Sequence, residues 1–170
     1  ALGLIRESGH PFGTPGGPGL SAVGREFGGP CQRRRGKLFG LPGLDALRLI
    51  LRAYVELGIM EPGDEIIVPA NTYIASILAI TDAGLTPVLV DADYNTLNLD
   101  TSLIEQAITN RTRGIMTVHL YGRVAWDNHL ADIARRHNLK VIEDTAQAIG
   151  ARATSTGLYG SDRAGALGDA

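Results

Sequence analysis

Apolar residues recur along the chain at two different periods, and the alternation between them predicts its elements. Leu47, Ile50, Leu51 and Tyr54 stand at i, i+3, i+4 and i+7, the spacing of one helix face, and the helix should stop near Gly58. Glu-Pro-Gly-Asp at 61–64 reads as a turn, and residues 65–70 form an aliphatic run of buried-strand length. A second helix follows, with Asn71 or Thr72 as its cap and Ile74, Ile77, Leu78 and Thr81 at helical spacing up to Gly84. Residues 87–91 are the next strand, and Asp100 caps a helix carrying Leu103, Ile104, Ala107 and Ile108. Residues 113–119 are a third strand. A helix over 126–138, with Leu130, Ile133 and Ala134 inward, leads to a fourth strand at 140–143.

Strands alternating with helices at this spacing imply parallel strands joined by crossover helices, with the strands buried on both faces. The expected class is α/β, a mostly parallel sheet flanked by helices. The segment before Leu44 breaks the pattern. It holds twelve of the 22 glycines and five of the eight prolines, and it keeps neither period for long. The chain therefore divides into an irregular Gly/Pro-rich segment, 1–43, and a patterned region, 44–170.

Composition narrows the function. With 170 residues, 44% apolar and 20% charged, the chain has the balance of one globular domain. A formal net charge of -2 provides no cationic field for a nucleic acid or an anionic membrane. The one cysteine, Cys31, cannot form an internal disulfide, and no apolar run approaches the roughly 20 residues of a membrane span, so a cytoplasmic protein is expected. Arg33, Arg34 and Arg35 read as solvated charge, and His129 and His137 as helix-surface groups.

In open parallel sheets ligands gather outside the carboxyl ends of the strands. The residues to search are 71–73, 91–93, 119–122 and 144–147, which include a tyrosine ring, several carboxylates, an imidazole and an amide. No pair among them has a metal-ligand spacing such as H-E-x-x-H, so no metal is expected. His119 and Tyr121 lie at a strand end, within reach of a ligand, but a histidine there is more often a hydrogen-bonded structural group, and neither is placed in the catalytic set.

The run E-I-I-V-P-A-N-T-Y-I-A-S at 65–76, followed by V-L-V-D at 88–91, V-H-L-Y-G at 118–122 and V-I-E-D-T-A-Q-A at 141–148, resembles the DegT/StrS-type sugar aminotransferases. G-L-D-A-L at 43–47 and G-A-L-G-D-A at 165–170 extend the likeness to about three quarters of the chain, in the family's order. The resemblance implies the aspartate-aminotransferase (type I) fold, of which this chain would hold an incomplete large domain without the small C-terminal domain. It also implies pyridoxal phosphate as cofactor and amino transfer, usually from glutamate as the amino-acid donor, to a nucleotide-linked keto sugar. The enzyme would be a homodimer with active sites built from both subunits. The 43–47 and 72–76 blocks resemble enzymes acting at the sugar's third carbon.

By the same resemblance Asp144 pairs with the cofactor's pyridine nitrogen, where a carboxylate keeps that nitrogen protonated and the ring electron-accepting. On the residue alone, an acidic cap is an equal reading. Tyr73 resembles the aromatic residue that stacks on the cofactor ring, against core packing as its other reading. Gln147 matches the amide that meets the phenolic oxygen, against an exposed helical polar group. The N-H groups near Gly43, Leu44 and Asp45 open a helix, an arrangement suited to a phosphate. Pro42 departs from the Asn, Ser or Gly that relatives commonly carry there, and a glycine at a helix start is also ordinary loop chemistry.

A transaminase needs a lysine to hold the cofactor as a Schiff base and move the proton. This chain has only Lys37 and Lys140, and neither matches the family position, which follows the 165–170 block by a little over a dozen residues. The expectation is an N-terminal fragment, inactive alone. A histidine at the absent position would make a dehydratase instead, and a non-catalytic remnant is the third reading.

Two tests follow from the sequence. A partial sheet should leave an open edge and uncovered apolar surface, so the isolated chain is expected to self-associate. A sharp monomeric elution peak at high concentration, with a cooperative thermal transition, would contradict this. The Gly, Pro and Arg bias before residue 43 is what a frame slip in a GC-rich gene produces. Translating the gene upstream of Gly43 in its other two frames should then reveal family-like residues, and their absence from both would remove the case.

Overall fold

Aliphatic runs that are too short for helices and rich in β-branched residues pair side by side in the computed structural model, which describes residues 43–170. Cys31, Arg33, Arg34, Arg35, Lys37, Pro42 and the Gly/Pro-rich reading of the N-terminal segment up to residue 42 lie outside the described residues. In chain order the elements are α1 (Gly43–Glu56), β1 (Glu65–Pro69), α2 (Ile74–Asp82), β2 (Thr86–Val90), α3 (Ile104–Ala107), β3 (Thr112–Val118), α4 (Asn128–Arg136) and β4 (Lys140–Asp144). The four strands lie in the order β2-β1-β3-β4, and every pairing is parallel. The α/β expectation holds.

Side chains alternate across a strand, so each strand feeds two cores. Ile66, Val68, Met116 and Ile142 pack on one face with Leu47, Leu51 and Tyr54 of α1 and Ala79 and Ile80 of α2. Ile67, Ile115 and Val141 pack on the other with Ile104 of α3 and Leu130, Ile133 and Ala134 of α4. Each fully buried aliphatic side chain contributes about 2 kcal/mol relative to exposure. No helix of the described residues is long and apolar enough to cross a membrane.

Several local expectations change. β2 is an edge strand, and Leu89 on it is exposed, so burial on both faces fails there. Neither Asn71 nor Thr72 caps α2. The cap position is Tyr73, whose side chain makes no capping bond, while the Asn71 amide donates to the Leu97 carbonyl at 2.9 Å. The buried residues of α2 are Ser76, Ala79 and Ile80, whereas Ile74 and Leu78 are exposed, because this helix is apolar nearly all round and spacing alone leaves its inward face open. The helix after Asp100 is a 3-10 turn, Thr101–Leu103, running into the single turn of α3. The last helix is shorter than expected. Asp127 caps it by accepting from the Leu130 N-H at 2.7 Å, which leaves Trp126 outside.

One buried carboxylate joins three parts of this fold. Glu143 Oε1 accepts from the Leu167 and Gly168 N-H groups at 2.7 and 2.8 Å, and Oε2 accepts from the Gly165 N-H at 2.8 Å. Oε2 also lies 2.9 Å from Nε2 of the fully buried His119. His119 Nδ1 accepts from the Ala125 N-H at 3.0 Å, so the proton sits on Nε2 and is donated to Glu143. Of the two sequence readings of His119, the structure selects the hydrogen-bonded structural one.

The segment held by Glu143 lies against β4. Asp169 accepts from the Val141 N-H at 2.9 Å, the Lys140 ammonium at 3.1 Å and the Tyr159 hydroxyl at 2.8 Å. Burial first, then the Asp169 charge, pushes the Tyr159 phenol up to about 12. Ala170 donates to the Val141 carbonyl at 3.2 Å and accepts from the Glu143 N-H at 2.7 Å, the two bonds of a parallel pairing opposite Ile142. Gly168 permits that approach, since a Cβ there would stand 2.6 Å from the Val141 oxygen.

Glu143→Gln would turn an amide NH2 toward at least one backbone donor. A loss of about 3 kcal/mol is expected, read as a lowered urea midpoint. A change within about 0.5 kcal/mol, the usual effect of a neutral surface substitution, would show that the carboxylate does not organise this region.

Candidate functional site

Parallel strands direct all their carboxyl ends to one edge, and the order of the sheet decides which ends are neighbours. Here β1, β3 and β4 are adjacent, so residues 71–73, 119–122 and 144–147 converge. Asp144 is the last residue of β4 rather than the first beyond it. Alternation sends its side chain to the face opposite Glu143, the face covered by α2. Its Oδ2 accepts from the Ser76 hydroxyl at 2.9 Å, and Oδ1 accepts from the Ala146 N-H at 3.2 Å. Ser76 is fully buried in the first turn of α2, and Thr72 Oγ1 lies 3.1 Å from its hydroxyl.

The two consecutive carboxylates of β4 differ sharply. Glu143 is saturated by three backbone donors and an imidazole. Asp144 is half-buried, and among the described residues it has no Lys, Arg or His in ion-pair contact. A desolvated carboxylate fixed by two donors but without a counter-cation is chemically suited to a cationic N-H.

Tyr73 is 74% exposed at the start of α2, which sets aside the core-packing reading and leaves its ring free at the edge. Gln147 is also exposed, on a turn and not a helix. Its Oε1 accepts from the Tyr121 N-H at 2.6 Å. A backbone N-H can only donate, so the amide oxygen is used there and the NH2 end remains the outward donor. Tyr121 presents that N-H from a left-handed conformation, φ 56°, which is costly for a residue with a Cβ, and its own ring is exposed.

Gly43, Leu44 and Asp45 form the first turn of α1. Asp45 pairs with Arg48, which also pairs with Asp82 at the last residue of α2. No hydrogen bond joins these three residues to the Asp144 group among the described residues. First-turn N-H groups favour an anion, while the Asp45 carboxylate opposes one and the Arg48 charge is already met by Asp45 and Asp82.

Three residues that the sequence reading gave no part in a site help to build the edge. Ser76 and Thr72 lie inside the T-Y-I-A-S run, but nothing local marks their hydroxyls as partners of a group on β4. Buried Asn98 ties two strand ends, accepting from the Leu120 N-H at 3.3 Å and donating to the Arg123 carbonyl at 3.0 Å. Asp93, in contrast, serves its own turn. The Thr96 hydroxyl and N-H, then the Asn95 N-H, hold its carboxyl below the usual range. Lys140 lies at the opposite end of β4 from Asp144, about 13 Å away at strand rise, and is paired with Asp169.

The carboxyl ends of the parallel strands thus hold a carboxylate with no ion-pair partner among the described residues, and the exposed Tyr73 ring stands at the start of the helix whose Ser76 bonds that carboxylate. The chain belongs to the DegT/DnrJ/EryC1/StrS aminotransferase family, whose sequence pattern matches residues 42–170. The dTDP-3-amino-3,6-dideoxy-alpha-D-galactopyranose transaminase of Aneurinibacillus thermoaerophilus is 56% identical over 128 residues, covering 75% of this chain and 32% of the relative. Among solved structures, S. venezuelae DesV superposes with a TM-score of 0.61 at 40% identity, over 89% of this chain and 39% of that one. The E. coli GDP-4-keto-6-deoxy-D-mannose-3-dehydratase with bound hydrated PLP gives a TM-score of 0.62 at 30% identity, over 66% of this chain and 30% of that one. The chain spans about a third of the length of the curated relatives it matches. Pyridoxal phosphate is the cofactor of this family.

Proposed function

We propose that this chain is the cofactor-binding first part of the large domain of a pyridoxal-phosphate-dependent aminotransferase. In complete form it would move an amino group from an amino acid, glutamate by family habit, to a nucleotide-linked keto sugar. The single observation that carries this is Asp144, a carboxylate fixed by two donors at the carboxyl end of β4 and, among the described residues, without a counter-cation. When bound, pyridoxal phosphate supplies an electron sink for the pair left by a broken C-H bond. Asp144 would hold a proton on the ring nitrogen. Tyr73 would offer an apolar face to the ring, and the NH2 of Gln147 would donate to the phenolic oxygen. The N-H groups of Gly43, Leu44 and Asp45 would receive the phosphate.

The names of relatives that carry 3-amino sugars favour the third carbon as the acceptor. The proton-transferring lysine would lie beyond Ala170, so the chain alone would bind without turning over. A homodimer and a cytoplasmic setting fit a soluble nucleotide-sugar substrate and the lone cysteine. A second reading, loss of a hydroxyl instead of gain of an amine, is supported by the structural likeness to the dehydratase. Extending the gene past Ala170 separates the two, since the first needs a lysine and the second a histidine.

The cofactor reading is tested by titrating this chain with pyridoxamine phosphate. Asp144→Ala should weaken binding about 10-fold or more, the worth of one charge-assisted hydrogen bond. Equal affinity of the variant and its parent would overturn the assignment.

A further inference from the structure

Asp144 does not stand alone, and the direction of the hydrogen bonds behind it can be derived. An ionised carboxylate only accepts, so Ser76 must donate its one hydroxyl proton to Oδ2. With that proton committed, the 3.1 Å contact between Ser76 Oγ and Thr72 Oγ1 has one remaining sense, with Thr72 as donor. The bonds therefore run head to tail, Thr72 to Ser76 to Asp144, and each polarises the next. Ser76 is fully buried, so no bulk water competes for its hydroxyl. It lies three residues from Tyr73 at the start of α2 and joins that helix to β4, 68 residues away in sequence.

We propose that Ser76, supported by Thr72, is a positioning residue for the cofactor nitrogen: it fixes the Asp144 carboxylate and sets how firmly that carboxylate holds the ring proton. This rests on the reading of Asp144 as the nitrogen's partner. Without the Ser76 hydroxyl, Oδ2 loses its buried donor, the carboxylate turns toward solvent, and its charge acts on the ring through a more polar medium. The same bond ties the start of α2, where Tyr73 stands, to the strand that carries the acid.

The test uses pyridoxamine phosphate labelled with 15N in the ring, bound to this chain and titrated with pH, because the ring-nitrogen shift reports protonation directly. In Ser76→Ala the bound ring should lose its proton about one pH unit lower than in the parent, a tenfold change in the proton equilibrium, with severalfold weaker binding. Ser76→Thr, which keeps the hydroxyl, should restore most of both. Thr72→Val should move the titration in the same direction by less. A Ser76→Ala titration equal to or higher than the parent's, while Asp144→Ala still weakens binding, overturns the role of Ser76 alone. Asp144→Ala behaving as the parent, or no binding by the parent, overturns the cofactor reading and the Ser76 proposal with it. A purely structural role is overturned in turn if Ser76→Ala keeps the parent's thermal transition and still shifts the ring titration.

Discussion

A carboxylate buried without bulk water must find donors, and Glu143 finds four. Three come from the backbone of residues 165–168 and one from His119 at the end of β3. Because these donors arise from separate stretches of chain, one side chain fixes the end of β4, the end of β3 and the returning segment relative to one another. The pairing of Ala170 opposite Ile142 then continues the parallel sheet beyond β4. Strand alternation makes this consequential, because with Glu143 committed to one face, Asp144 must face α2.

The contrast between those neighbours organises the functional edge. Glu143 uses its capacity on the protein, whereas Asp144 takes only Ser76 and the Ala146 N-H and has no cation beside it among the described residues. Adjacent residues of one strand, separated by the pleat alone, therefore have quite different partners. Nearby, Gln147 turns its oxygen to Tyr121 and its NH2 outward, and the cost of the left-handed Tyr121 backbone is offset in part by that bond. Tyr73 and Tyr121 leave their rings in solvent at this edge.

Membership of the aminotransferase family and a span of about a third of its relatives give this arrangement its context. The described residues place a half-buried carboxylate, an exposed tyrosine ring and an exposed amide at the carboxyl ends of adjacent strands. Lys140, the one lysine among them, is tied to Asp169 at the far end of β4 and does no chemistry at the edge.

Much of the fold was legible in the residues, for particular reasons. The aliphatic runs at 65–70, 113–119 and 140–143 place β1, β3 and β4 within a residue or so, because a short β-branched run with turn signals on either side has few other uses. Asp144, Tyr73 and Gln147 were singled out through blocks that resemble a family, and the strand order brings the stretches that carry them to one edge. What escaped was non-local. That β2 would be an edge strand depends on sheet order, and the inward face of α2 depends on which of its many apolar positions met α1, β1 and β2. The sequence by itself determined the periods, the turns and the identity of the acid. Only the tertiary structure decided that Ser76 donates to that acid and that Glu143 is saturated, because each of those bonds joins residues far apart in the chain and forms only when the sheet brings them together.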